Sequence, residues 1–174
     1  MDDVARAAGI TKAAIYHHVA SKEELLERGL LRALDALFLV LDEPQSRKGT
    51  PEARLRHIVR RVVLTTLAML PEVSVLFRVR GNSPVERRAI ERRRRFDRLM
   101  AQLIGEGQAA GCFRSSLDAR LTARLIFGMT NSVGEWYRPG GPIPEAQIAA
   151  AVEGFVFEGL RPVDRGGKSG YAVD

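Results

Sequence analysis

The chain has 174 residues, a net charge of +6 and an apolar fraction of 45%. That supplies one compact core and excludes global disorder, while a pI near 10.1 favours a polyanionic partner. A single cysteine, Cys112, excludes an intrachain disulfide framework; with an acidic start and no apolar run of membrane-spanning length, the chain reads as cytoplasmic, with no membrane partner.

The first elements are short. Val4, Ala5 and Ala8 fall at helical spacing and predict a helix with one small apolar face. Gly9 stands where the chain must turn, because glycine reaches the left-handed region without a Cβ penalty. Thr11 can accept a hydrogen bond from the free amides of a second short helix. In that helix Ile15 and Val19 point inward, and Ala13, Ala14, His17 and His18 face outward, flanked by Lys12 and Tyr16. Ser21-Lys22-Glu23-Glu24 is a capping box that opens a third helix.

Two short helices around a glycine turn are the sequence form of a helix-turn-helix DNA reader. Small side chains allow close approach to base edges, and the methyl groups of Thr11, Ala13 and Ala14 can meet a thymine methyl. Lys12, Tyr16, His17 and Lys22 can bond phosphate oxygens, and His18 completes the set of expected contacts. A metal site at His17-His18 is the weaker reading, since neighbours do not share a helix face.

The ordered run Val4-Ala5-Arg6-Ala7-Ala8-Gly9-Ile10-Thr11, then Ile15-Tyr16-His17-His18-Val19, then Ser21-Lys22-Glu23-Glu24-Leu25, resembles the DNA-binding signature of the TetR family of transcriptional regulators. The resemblance covers the N-terminal quarter of the chain. It implies an all-helical, homodimeric, ligand-responsive repressor on a palindromic double-stranded operator. Family members carry a further helix ahead of this signature, whereas Met1 stands directly at the second helix. Val4, Ala8, Ile15 and Val19 are therefore expected to lack part of their apolar cover, and Met1 is expected to be a late start or a truncation point.

Further along, the Ser21 helix should run to about Leu41, with Leu26, Leu30, Leu34, Leu37 and Leu41 on one side. Pro44 to Gly49 reads as a polar connection. Thr50-Pro51 opens a helix carrying Leu55, Ile58, Val59, Val62, Val63 and Leu67, which Pro71 should end. A short piece from Val73 to Val79 follows, and Ser83-Pro84-Val85-Glu86 starts a long arginine-rich helix that stops at Gly111. Asp118 stands near the start of the next helix, which carries Leu121, Leu125, Met129, Val133 and Trp136; a last helix from about Pro144 carries Ile148, Val152, Phe155, Val156 and Gly159. No strand pattern or repeat is present. The expected division is an incomplete DNA-binding head with its connecting helix over 1–42, an effector-binding and dimerisation body over 43–162, and a disordered tail over 163–174.

Both final helices are apolar over a broad stripe and include the small residues Ala149, Ala150, Ala151 and Gly154. They can pair across a two-fold axis, as the resemblance implies, or serve as ordinary intrachain core. Arg78, Arg80, Arg87, Arg88, Arg92, Arg93, Arg94, Arg95 and Arg98 crowd one region and cannot all share a face. A solvated, partly ion-paired surface, an anion-binding mouth and direct DNA contact are the competing readings. The segment from Asn131 to Pro142 is similar to the C-terminal segment of TetR regulators of acyl-CoA catabolism. That similarity implies an acyl-CoA effector, with Phe77, Phe96, Met100, Phe127 and Met129 along a slot and Arg92, Asn131 and Trp136 beside it. No cofactor or metal is expected. Enzyme chemistry has little basis, because His17, His18 and His57 sit in no carboxylate–histidine cluster and neither a phosphate loop nor a nucleophile elbow occurs. The alternative to a DNA-binding regulator is a helical ligand-binding or dimerising body without autonomous DNA binding.

Overall fold

The computed structural model describes residues 2–162 as an all-helical chain. The expected tail over 163–174 lies outside the described residues. In chain order the helices are α1 (Asp2–Ala8), α2 (Lys12–His18), α3 (Lys22–Asp42), α4 (Pro44–Arg47), α5 (Pro51–Ala68), α6 (Leu70–Arg78), α7 (Pro84–Ala109), α8 (Ala119–Trp136) and α9 (Glu145–Leu160).

Most starts follow directly from capping chemistry. The hydroxyls of Thr11, Ser21, Thr50 and Ser83 each accept the amide three residues on, and Asp118 does the same with its carboxylate. Two junctions differ from the sequence expectation. Pro44 to Arg47 forms a helical turn instead of a polar connection, because Pro44 suits a first-turn position and the buried Ser46 hydroxyl donates to the Val40 carbonyl at 2.5 Å. Pro71 does not end α5, which already stops at Ala68; it sits in the first turn of α6, where a missing amide costs nothing.

Helix α5 is the axis of the body and packs against α3, α7, α8 and α9. Its residues Leu55, Val59 and Val63 are almost wholly inaccessible. Phe96 of α7 stands at the centre of a ring cluster, edge-on to Phe38 of α3 at 5.5 Å and to Phe127 of α8 at 5.2 Å. Such pairs add about 0.5–1.5 kcal/mol beyond their burial. At the far end of α7, Phe113 folds back so closely that a Cβ on Gly107 would meet its ring at 2.1 Å, so only glycine fits there. Polar ties close the α5–α9 seam: Glu153 pairs with Arg56 at 2.7 Å, and Arg56 lies 4.0 Å over the Phe157 ring.

The head has its own small cluster of Ala5, Ile15 and Val19, with Leu25 of α3 against it. The body core begins at Leu26 and Leu30. Helix α3 therefore belongs to both parts, and the division between the two apolar clusters falls inside it.

The α8 stripe is the main departure. Leu121, Leu125, Met129 and Trp136 face outward, and the buried side is Ala123, Ile126, Thr130 and Val133. Phe155 of α9 also faces outward, 74% exposed. Helix α8 is apolar on two sides: Ala123, Ile126, Thr130 and Val133, with the half-buried Phe127, pack inward, while Leu121, Leu125, Met129 and Trp136 remain outside.

Candidate functional site

The head is built by backbone hydrogen bonding before any side chain acts. Gly9 adopts φ +66°, its amide donates to Arg6 at 3.2 Å, and the Ile10 amide donates to Ala5 at 3.1 Å. This paired closure ends α1 and turns the chain into α2. Thr11 then caps α2 at 3.1 Å, and Ser21 caps α3 at 3.0 Å while the Glu24 carboxylate accepts the Ala20 amide at 2.6 Å. Those contacts fix α2 across the first turn of α3 and sink Ile15 and Val19 into the head cluster.

The opposite side of α2 is open. Thr11, Lys12, Ala13, Tyr16, His17, His18 and Lys22 are exposed and Ala14 is half-buried, so all eight expected contact residues line the outer surface of α2 and its two flanks. Lys12 is shared with an intramolecular partner, the Asp2 carboxylate at 3.1 Å, whose hydrogen bond and charge hold that carboxyl below its ordinary range. The expected inward face of α1 is narrower than its spacing suggests. Ala5 alone of its residues is buried, whereas Val4 and Ala8 are exposed. Ile15 and Val19 are covered by Ala5 and Leu25.

The body holds a cavity of about 350 Å³, within the size range of small-molecule sites. Its apolar lining comes from Leu34 and Leu37 of α3, Val62 of α5, Leu76 and Phe77 of α6, and Phe96 and Phe127. Polar groups enter from α5, where Thr66 contributes, from α7 through Arg93, Arg94 and Asp97, and from α8 through Arg124, Thr130 and Asn131. Burial pushes the Asp97 carboxyl above its ordinary range, against the opposing pull of Arg93, Arg124 and Arg98.

Of the eight slot residues expected from the sequence, Phe77, Phe96, Phe127 and Asn131 meet at this cavity. The other four lie elsewhere. Arg92 reaches outward to Asp35 of α3 at 2.7 Å, and Met100 is packed in the core beside a separate depression. Met129 lies on the outer side of α8, and Trp136 edges a shallow cleft with Pro142 and Ile143. A helix turns about 100° per residue, so adjacent positions such as Arg92 and Arg93 face different surroundings. The sequence reading missed Arg124 and Asp97. Their signal was spacing: Arg124 lies three residues before Phe127, and Asp97 four after Arg93, each pair on a shared face.

The arginine run is thereby divided. Arg88 and Arg92 pair with Glu27 and Asp35 of α3, at 2.5 and 2.7 Å. Arg93 and Arg94 line the cavity and make no ion pair among the described residues.

A helix-turn-helix with a bare outer face, carried on a helical body with an amphipathic cavity, defines a DNA-binding transcriptional regulator. Residues 1–28 match the family of bacterial regulatory proteins named tetR, and residues 48–160 match the tetracyclin repressor-like C-terminal domain. The chain belongs to the TetR family. It is similar to SCO3833 of Streptomyces coelicolor A3, a TetR-family regulator, at 49% identity and a TM-score of 0.84, over 92% of this chain and 81% of that one. It is also similar to the HTH-type transcriptional repressor KstR2 of Mycobacterium tuberculosis, 28% identical over 165 residues, covering 91% of this chain and 80% of the relative. The structure of that ketosteroid regulator superimposes with a TM-score of 0.82 at 27% identity, over 92% of this chain and 83% of that one. AibR, solved with isovaleryl coenzyme A and operator DNA, shares the fold at 23% identity and a TM-score of 0.76, over 90% of this chain and 85% of that one. Among the described residues no helix is long and apolar enough to cross a membrane.

Proposed function

We propose that this chain is a homodimeric repressor that reads a palindromic operator through Thr11, Lys12, Ala13, Ala14, Tyr16, His17, His18 and Lys22. The observation that carries this reading is the bare outer side of α2, held over the buried Ile15 and Val19. Thr11, Ala13 and Ala14 present small groups to base edges, and Lys12, Tyr16, His17, His18 and Lys22 reach phosphates. The test is fluorescence anisotropy on a duplex from upstream of its own gene, with a salt series and a scrambled competitor. Specific binding that steepens as salt falls supports the reading. Affinity equal to that for the scrambled duplex refutes it.

Pairing through α8 and α9 is supported by the exposure of four large apolar side chains on these two helices, Leu121, Leu125, Trp136 and Phe155. A two-fold interface built there would hold two α2 helices about 34–36 Å apart, one turn of duplex. Replacing Leu125 with Arg should give a monomer by sedimentation and remove operator binding, while leaving the helical content unchanged.

The effector reading rests on the amphipathic cavity. Its apolar side suits an acyl group and its arginines suit an anion, a combination that fits an acyl-CoA thioester. In this arrangement the acyl group enters the cavity, and the nucleotide phosphates, too large to follow, stay at the solvent-side Arg94 and Arg98. Leu34 and Leu37 connect this site to the head, because they stand on the helix whose first turn supports α2. An effector that binds one α3 position more tightly than the other shifts the head separation, and by reciprocity operator DNA weakens effector binding. Calorimetric titration with acyl-CoA and free coenzyme A tests this, and no heat from either refutes it. The same titrated protein should release the operator.

A further inference from the structure

Asp97 is the unusual group of the cavity. It lines the wall on α7, half-buried, and makes no hydrogen bond or ion pair among the described residues. A carboxylate half withdrawn from water without a hydrogen-bonding partner carries a desolvation cost that nearby arginine charges only partly offset. The other carboxylates facing the α3–α7 seam are used: Glu27 holds Arg88 and Asp35 holds Arg92. Arg93 lies one turn before Asp97, which sets their Cβ atoms about 5–6 Å apart on one face. Arg124 approaches the same wall from α8, and the Phe96 and Phe127 rings lie beside it. The wall therefore passes from cation through carboxyl to aromatic surface within a helical turn.

We infer that Asp97 is a specificity-determining residue that selects effectors carrying a hydroxyl close to their carbonyl end, the class of 3-hydroxyacyl thioesters, over the saturated acyl thioesters of equal length. The assignment rests on the thioester reading of the cavity. Arg93 or Arg124 donates to the thioester carbonyl, and the hydroxyl two carbons further along donates to Asp97. A chain lacking that hydroxyl leaves the carboxyl desolvated with no donor, which is the source of the discrimination. Burial already holds the carboxyl above its ordinary range, as expected for a group whose partner comes with the ligand.

The test is calorimetric titration of the full chain with hexanoyl-CoA and 3-hydroxyhexanoyl-CoA, in the wild type, Asp97→Leu and Asp97→Asn. The wild type should prefer the hydroxylated thioester by roughly tenfold. In Asp97→Leu the preference should vanish, with hexanoyl-CoA bound at least as well as before. Asp97→Asn keeps the shape and should retain a preference of only about twofold, which guards against a Leu variant that fails to fold. Equal wild-type affinity for both thioesters, or a preference that survives in Asp97→Leu, overturns the assignment and leaves the thioester reading standing. Binding of neither thioester removes the thioester reading and this assignment with it.

Discussion

The head and the body of this protein are held together by different physics. Among the described residues, three buried ones and Leu25 make the apolar cluster of the head, so its shape depends on local hydrogen bonds at Gly9, Thr11, Ser21 and Glu24. The body instead depends on long-range packing around α5 and the Phe38–Phe96–Phe127 rings. A small cluster fixed by caps on one shared helix can be carried as a unit, whereas a large core resists displacement except at a cavity. That division suits the proposed response, in which the reading surface moves when a remote site is filled.

The largest expected effect separates the two cores. Phe96→Ala should cost about 3–5 kcal/mol of global stability in urea unfolding followed by Trp136 emission. Ile15→Ala should leave that transition within about 0.5 kcal/mol while abolishing operator binding, since Trp136 reports on the body and Ile15 belongs to the head. If Ile15→Ala shifts the Trp136 transition as far as Phe96→Ala does, head and body are one cooperative unit and the comparison fails.

A smaller effect is expected at the tethers. Arg88 and Arg92 join α7 to Glu27 and Asp35 of α3. Exposed pairs of this kind contribute about 0–1 kcal/mol, so Arg88→Ala and Arg92→Ala should scarcely change the urea midpoint. Their effect should appear as coupling: the ratio of operator affinities without and with effector should fall in both variants. An unchanged ratio would mean that the cavity reaches the head through Leu34 and Leu37 alone. On the reading surface, Lys22→Ala should lower the slope of log affinity against log salt by about 0.9, with specificity retained.

The same contrast explains what could be read from the sequence. The head was legible because each of its devices is local: a glycine turn, a threonine cap and a Ser-x-x-Glu box lie within a few residues of what they control. In the body the helix starts at Thr50, Ser83 and Asp118 were legible for the same reason. Facing direction was not. Leu121, Leu125 and Trp136 have the size and spacing of core residues, and only the packing of α5 and α7 shows that Ala123, Ile126 and Thr130 turn inward instead. The cavity was half legible, since aromatic residues at helical spacing mark a wall without saying which arginine shares it. Choosing Arg93 over Arg92 requires the azimuth of α7 against α3, and that is set by contacts distant in the chain.

The smallest expected effect compares two copies of one motif. In the head, Glu24 accepts the Ala20 amide and pairs with Arg28 at 2.6 Å; in the body, Glu86 accepts the amides of Arg80, Gly81 and Asn82 at 2.8 to 3.0 Å. Hydrogen bonds from the Arg80, Asn82 and Gly81 amides hold the Glu86 carboxyl below the usual glutamate range, and the Ala20 amide followed by Arg28 does the same for Glu24. A carboxyl depressed by folding contributes stability that is complete above its unfolded range and is lost as pH falls through its lower folded value. Glu86→Gln should therefore flatten the acid limb of the Trp136-monitored stability profile and leave the neutral limb nearly parallel to the wild type. Glu24→Gln should leave that profile unchanged, because its box secures only the joint between α2 and α3. Its loss should instead weaken operator binding modestly at every pH where Glu24 is ionised, with the difference from wild type closing as the solution becomes acid. An acid limb altered equally by both substitutions would show that the head contributes to the stability of the body, and that α3 transmits folding free energy as well as position.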